Sequence, residues 1–227
     1  MAFKLKKQKP HKTREGKINL TLQKHNIDTV IDIGANIGQT HDSLRQVGFK
    51  GDIISIEPLP SLQELLQKKA KTDPKWKVLK PLALGDRNGS CEINISAASD
   101  MSSILPSSDE LMRALPNTRV TDMVSVQMKT LDTLYEELGL NDKRVFIKMD
   151  TQGYEMKILE KAQSTLNSIS GIQVEMSLFP LYEGEVLFDE IIALLKDCGF
   201  APHMIIETNF SRTLNRQLQV DGIFFKD

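Results

Sequence analysis

Five apolar runs in this chain each carry an acidic residue at or near their end, and no other feature narrows its possible folds so far. They are Val30-Ile31-Asp32-Ile33-Gly34, Ile53-Ile54-Ser55-Ile56-Glu57, Leu82-Ala83-Leu84-Gly85-Asp86, Phe146-Ile147-Lys148-Met149-Asp150 and Ile172-Gln173-Val174-Glu175. Short apolar runs rich in β-branched residues and bounded by turn residues read as buried strands. The spacing predicts strands at 28–33, 52–56, 77–84, 144–149 and 171–176, with a closing pair at 203–207 and 220–225. Helical periodicity falls at 18–25, 39–47, 60–71, 131–138, 153–162 and 186–197. Alternation of this kind implies parallel pairing through right-handed crossovers, hence a doubly wound α/β sheet. Ligands of such sheets bind beyond the carboxyl ends of the strands, where the five acids are expected to gather. A rim of carboxylates suits a ligand with hydroxyls and positive charge, and it repels phosphate.

The 227 residues suffice for one domain with a full core. The expected organisation is a basic, flexible segment at 1–17 and a folded domain at 18–227, with 90–128 inserted near the ligand edge. That insertion is read as strands at 91–95 and 121–128 around a loop holding a helix at 108–115. Seven Lys/Arg against one Glu crowd into residues 1–17, so the remaining body is acidic and nucleic-acid binding is not expected. No apolar stretch approaches the roughly 20 residues of a membrane span, and the start lacks the apolar block of a secretory signal. Cys91 and Cys198 show no paired spacing and read as reduced thiols of a cytoplasmic protein. No His/Cys/Asp spacing matches a metal-ligand set.

Between the first strand and its helix lies Asp32-Ile33-Gly34-Ala35-Asn36-Ile37-Gly38. A dinucleotide turn wants G-x-G-x-x-G; only two glycines are present, spaced G-x-x-x-G, and Asp32 opposes a pyrophosphate. The same carboxylate suits an ammonium group, directly or through water. Glu57 follows Gly34 by 23 residues, near the distance at which an acid takes ribose hydroxyls, because a carboxylate accepts from both arms of a diol. S-adenosylmethionine fits these features. Asp86 either meets the adenine amine or bonds its own turn backbone; the residues leave both open.

The stretch 31–39, with Glu57-Pro58, Ala83-Leu84-Gly85-Asp86, Met101-Ser102-Ser103, Thr130-Leu131-Asp132, the run 147–155 and the ending Asp221-Gly222-Ile223-Phe224, resembles the FkbM family of S-adenosylmethionine-dependent methyltransferases. The resemblance implies the class I methyltransferase fold, Rossmann-like and seven-stranded with the last strand antiparallel. It implies methyl transfer to a hydroxyl of a small molecule or glycan. It also places Asp32, Gly34, Ala35, Asn36, Gly38, Glu57, Pro58, Leu84, Gly85 and Asp86 at the cofactor, with Ser102 and Ser103 near its methionine end.

Such a transfer is an in-line displacement, so the protein must mainly place the acceptor oxygen and take its proton. Phe146, Lys148 and Asp150 share one strand face by the two-residue period. Asp150 serves as the base or caps the following helix. Lys148 is costly inside a central strand unless paired, and its expected partner is Asp150 or Glu175; it joins Glu175 in lining the acceptor pocket, or it forms a structural ion pair that quiets neighbouring carboxylates. Glu155 reads as a first-turn structural acid. The loops at 96–118 and 179–182 are expected to choose the acceptor. Two other readings remain: a non-catalytic S-adenosylmethionine-binding module, which needs neither Lys148 nor Asp150, and an NAD(P)-linked oxidoreductase, weakened by the missing glycine and by Asp32.

Overall fold

The computed structural model describes residues 12–226. The chain opens with helix α1 (Arg14–Lys24), strand β1 (Thr29–Ile33), helix α2 (Gln39–Gln46), strand β2 (Asp52–Ile56) and helix α3 (Pro60–Ala70). Strands β3 (Trp76–Val78), β4 (Ala83–Leu84) and β5 (Gly89–Ser96) follow, then helix α4 (Asp109–Ala114) and strand β6 (Val120–Lys129). Helix α5 (Leu131–Leu138), strand β7 (Val145–Met149) and helices α6 (Glu155–Leu159) and α7 (Gln163–Ser168) come next. Strand β8 (Gly171–Ser177) and helix α8 (Phe188–Asp197) lead into β9 (Ala201–Glu207), β10 (Phe210–Ser211), β11 (Arg216–Gln217) and β12 (Gln219–Phe225).

Seven strands form one sheet in the order β3-β2-β1-β7-β8-β12-β9. All run parallel except β12, which is antiparallel to β8 and β9. The two-residue period splits each central strand between two cores. Ile31, Ile33, Ile147, Met149, Ile172 and Val174 pack against Leu131, Leu159 and Leu195 from α5, α6 and α8. Val30, Ile53, Phe146, Ile223 and Phe225 pack with Leu22, Leu44 and Leu66 from α1, α2 and α3. Each fully buried side chain of this size contributes about 1.5–3 kcal/mol. The α1–α3 face also carries Asp32, Lys148, Gln173, Glu175 and Asp221. No fold needs such a buried polar stripe for stability, and it points toward the functional end.

Local chemistry sets the helix ends. Thr130 starts α5 by accepting from the Thr133 N–H, and Gly139 at φ 62° ends it. The helix expected at 153–162 spans only Glu155–Leu159, and an unexpected second helix, α7, follows it, where the Asp132 carboxylate of α5 accepts from the Ser164 and Thr165 N–H groups. Helix α1 begins within the segment read as a flexible lead-in: Thr13 Oγ1 accepts from the Gly16 N–H, 3.0 Å away. Residues 1–11 of that segment lie outside the described residues.

The strand expected at 77–84 is also two strands. Pro81 cannot donate to a ladder, so the chain leaves the main sheet after Val78, and Ala83–Leu84 pairs with β6 in a second sheet ordered β4-β6-β5. The 90–128 region builds most of that sheet. A bridge between Asn94 and Ser103 folds the intervening residues back over the carboxyl ends of the main strands. Cys91 and Cys198 are both free. Among the described residues no helix is long and apolar enough to cross a membrane.

Candidate active site

A cavity of about 500 Å³ opens at the carboxyl ends of β1, β2, β7 and β8. Gly34, Ala35, Asn36, Glu57, Pro58, Leu84, Ser102, Lys148, Asp150 and Glu175 all line it. Asp32, Gly38, Gly85 and Asp86 are not among the residues that line it.

Glu57 anchors one end. It is 4% exposed, and its carboxylate accepts the Asn36 N–H at 2.7 Å and the Leu59 N–H at 2.9 Å, one on each oxygen. Burial pushes its pKa up against the pull of those two donors. Each oxygen keeps a lone pair for a further donor, and the adjoining wall of Leu82, Ala83, Leu84 and Ile93 is apolar. A nucleoside fits this arrangement: its diol donates to Glu57 while its base lies on the aliphatic wall. Gly34 serves the turn itself. It sits at φ 78°, and a Cβ there would overlap the Asp150 carbonyl, so the glycine lets the first turn seat against β7. Gly38, at φ 87°, would bring a Cβ to 2.8 Å from Trp76 and is a packing residue.

Asp32 lies behind the cavity wall. It is fully buried, with one oxygen 3.4 Å from the Ser55 hydroxyl and the other 3.8 Å from Lys148 Nζ. That second oxygen has no hydrogen bond. Burial drives the Asp32 pKa up, and Lys148 partly offsets it. Asp86 is drawn off by the second sheet and pairs with Arg87 at 3.0 Å.

The other end is built around Lys148. Its ammonium lies 3.1 Å from Asp150 and 3.8 Å from Asp32. Its ion-pair partners are therefore these two acids, and the expected Lys148–Glu175 pair is replaced by an amide network. Gln152 Nε2 donates to Asp150 Oδ1 at 2.7 Å and to Glu175 Oε2 at 2.8 Å. Gln219 Nε2 donates to the same Glu175 oxygen at 3.0 Å. The Glu175 pKa is raised well above the usual carboxylate range, first by burial and then by the negative charge of Asp150 and Glu155.

Asp150 caps no helix. Glu155 accepts from the Thr151 N–H at 2.6 Å and from its hydroxyl at 3.0 Å, which leaves Asp150 free to face the cavity. Burial pushes the Glu155 pKa up to about 7. Between these acids, Gln152 at φ 55° and Gly153 at φ 93° hold two successive left-handed conformations.

The loop at 179–182 does not line the cavity. Tyr182 is fully buried and donates to Gln152 Oε1 at 2.7 Å, and Ser103 donates to the Gln152 carbonyl at 2.6 Å. Both groups position Gln152, which sequence reasoning left without a role. Gln173, Gln219, Arg14 and Asp221 were missed as well. Among the described residues no three His, Cys, Asp or Glu side chains gather in a metal-binding group.

Residues 32–202 match the family model described as the methyltransferase FkbM domain. The 2-O-methyltransferase NoeI of Sinorhizobium fredii is 26% identical over 172 residues, covering 73% of this chain and 70% of that protein. Among solved structures, methyltransferase FkbM from Methylobacillus flagellatus aligns at TM-score 0.53 and 13% identity over 87% of this chain, which spans 44% of that one. An uncharacterized protein of Listeria monocytogenes aligns at TM-score 0.51 and 8% identity, over 95% of this chain and 67% of that one. At these identities the two structures speak to the fold alone.

Proposed function

The chain belongs to the FkbM family of methyltransferases, and on that footing we propose that it moves a methyl group from S-adenosylmethionine to a hydroxyl oxygen of a small molecule or glycan. One observation carries the reading: a single cavity joins the Glu57 carboxylate, suited to a ribose diol, to Asp150, an acid at the surface of a buried charge network. The named activity of the Sinorhizobium fredii relative, a 2-O-methyltransferase, supports an oxygen acceptor.

When bound, S-adenosylmethionine supplies an electrophilic methyl. Glu57, the Gly34-Ala35-Asn36 turn and the wall at 82–84 hold and orient the nucleoside. Ser102 and the neighbouring 99–104 segment cover it. Asp150 takes the proton of the acceptor hydroxyl, since a neutral alcohol is a poor nucleophile without a base. Lys148 and Gln152 fix the Asp150 carboxylate through its two oxygens. Glu175, held by the Gln152 and Gln219 amides, borders the same region.

Methyl-labelled S-adenosylmethionine and a panel of hydroxyl-bearing small molecules and glycans provide the test. We expect label in a product that survives mild alkali, as a methyl ether does. Label released as methanol, marking a carboxyl ester, or no label in any hydroxyl compound would overturn the reading.

A further inference from the structure

The cavity continues past Asp150. A second lobe runs beneath α1, between Ile18 and Leu22 above and Val30 and Phe146 on the sheet below. The polar groups that line the cavity on this side include Arg14, Gln173, Thr208 and Asp221. Strand register sets their place: Gln173 lies opposite Lys148 on the neighbouring strand, and Asp221 lies opposite Glu175. Gln173 therefore lies one strand position below the Asp150–Glu175 rim, and Asp221 lies level with it.

Two of these groups have hydrogen-bonding capacity to spare. Gln173 is 7% exposed, yet its side-chain amide makes no hydrogen bond among the described residues. The Thr208 hydroxyl is buried and likewise has no partner. A buried polar group in a folded protein is normally satisfied, so the Thr208 hydroxyl calls for a reason. An amide and a hydroxyl each donate and accept, as do the hydroxyls of a sugar or cyclitol ring. Charge points the same way. Arg14 is paired with Asp221, and Lys148 with Asp150 and Asp32, so among the described residues that line the cavity no cation is left unpaired for a phosphate or carboxylate, while the acidic rim repels one.

Arg14, Ile18, Leu22, Thr208 and Asp221 all fall outside the 32–202 segment that matches the family model, whereas Glu57, Lys148 and Asp150 fall inside it. We infer that this lobe seats the non-reacting part of the acceptor and takes an uncharged, hydroxyl-bearing ring, whose apolar face lies against Ile18, Leu22 and Phe146 and whose hydroxyls bond Gln173 and Thr208. The inference rests on the hydroxyl-methyltransferase reading above and deepens it by assigning specificity to α1 and the loop after β9.

Calorimetry with S-adenosylhomocysteine, followed by ligand-observed NMR of the resulting complex, separates the two claims. The NMR probe is methyl α-glucopyranoside at tens of millimolar, with glucose 1-phosphate in parallel, for wild type, Gln173→Leu and Thr208→Val. The expected result is pyranoside binding that weakens about tenfold or more in either variant, with S-adenosylhomocysteine affinity held within about twofold. Pyranoside binding unchanged in both variants, no pyranoside binding to the complex, or tighter binding of the phosphate would overturn the lobe assignment alone. Failure of the wild type to bind S-adenosylhomocysteine would instead remove the methyltransferase reading beneath it.

Discussion

Replacing Asp150 with Asn is expected to lower methyl-transfer turnover by about 10²–10⁴-fold, the usual range for loss of a general base, with S-adenosylhomocysteine affinity nearly unchanged. Asn has almost the same shape and still offers an oxygen to Lys148, so the split between binding and turnover isolates proton transfer. Glu175 is the comparison that gives the result meaning. Its pKa is held well up, first by burial and then by the charge of Asp150 and Glu155. Glu175→Gln keeps a hydrogen-bonding group there and is expected to retain turnover within about tenfold. Near-normal turnover in Asp150→Asn, or a loss of affinity as large as the loss of rate, would show that Asp150 does not take the proton.

Lys148→Met should be the most destabilising single change in the site. The substitution preserves volume but leaves the fully buried Asp32 without the one cation paired with it among the described residues, and one Asp32 oxygen has no hydrogen bond. Removing one member of a buried ion pair costs about 3–5 kcal/mol, or roughly 10 °C in melting temperature for a domain of this size. The pH dependence follows from the directions of the two shifts. Asp32 has a folded pKa above its ordinary 3.8, and without Lys148 it rises further. The folded variant therefore binds a proton that the unfolded chain releases; stability is full below about 4 and falls as pH climbs through the folded value. In wild type the Lys148 pKa is raised above its ordinary 10.5, chiefly by the Asp150 and Asp32 charges, which outweigh burial. Its contribution is fully present below 10.5 and is lost only as pH rises beyond that. Melting curves at pH 5 and pH 8 should thus show a deficit that is larger at pH 8, and adding Asp32→Asn should shrink it. A deficit equal at both pH values, or none at pH 8, would contradict the burial of Asp32 behind Lys148.

Much of this architecture was readable in the chain because its causes are local. The runs ending at Ile33, Ile56, Met149 and Glu175 are strands since nothing else accommodates such short β-branched segments between turn residues. The reversal of β12 came through family resemblance, because nothing in Val220-Asp221-Gly222-Ile223-Phe224-Phe225 states its direction. The two readings of Asp86 stayed open in the chain, although Pro81, which interrupts the run before it, was a visible sign that the acid follows the second sheet. The amide network left no trace. Gln152, Gln173 and Gln219 have no spacing rule, and their importance arises only when β7, β8 and β12 lie side by side. The cap that Asp132 supplies to α7, 32 residues later, is equally non-local. Arg14 was read as part of a basic tail because charge composition cannot show that one of seven cations closes a cavity.

The most direct measurement is a calorimetric titration of S-adenosylhomocysteine into the wild-type protein and the Glu57→Ala variant, with NADH as a parallel ligand. The expected result is saturable one-to-one binding to wild type and no NADH binding. Affinity should fall by about 100-fold in the variant, the worth of two hydrogen bonds to a carboxylate. Absence of S-adenosylhomocysteine binding to the wild type, or equal affinity in the variant, would contradict a nucleoside seated on Glu57.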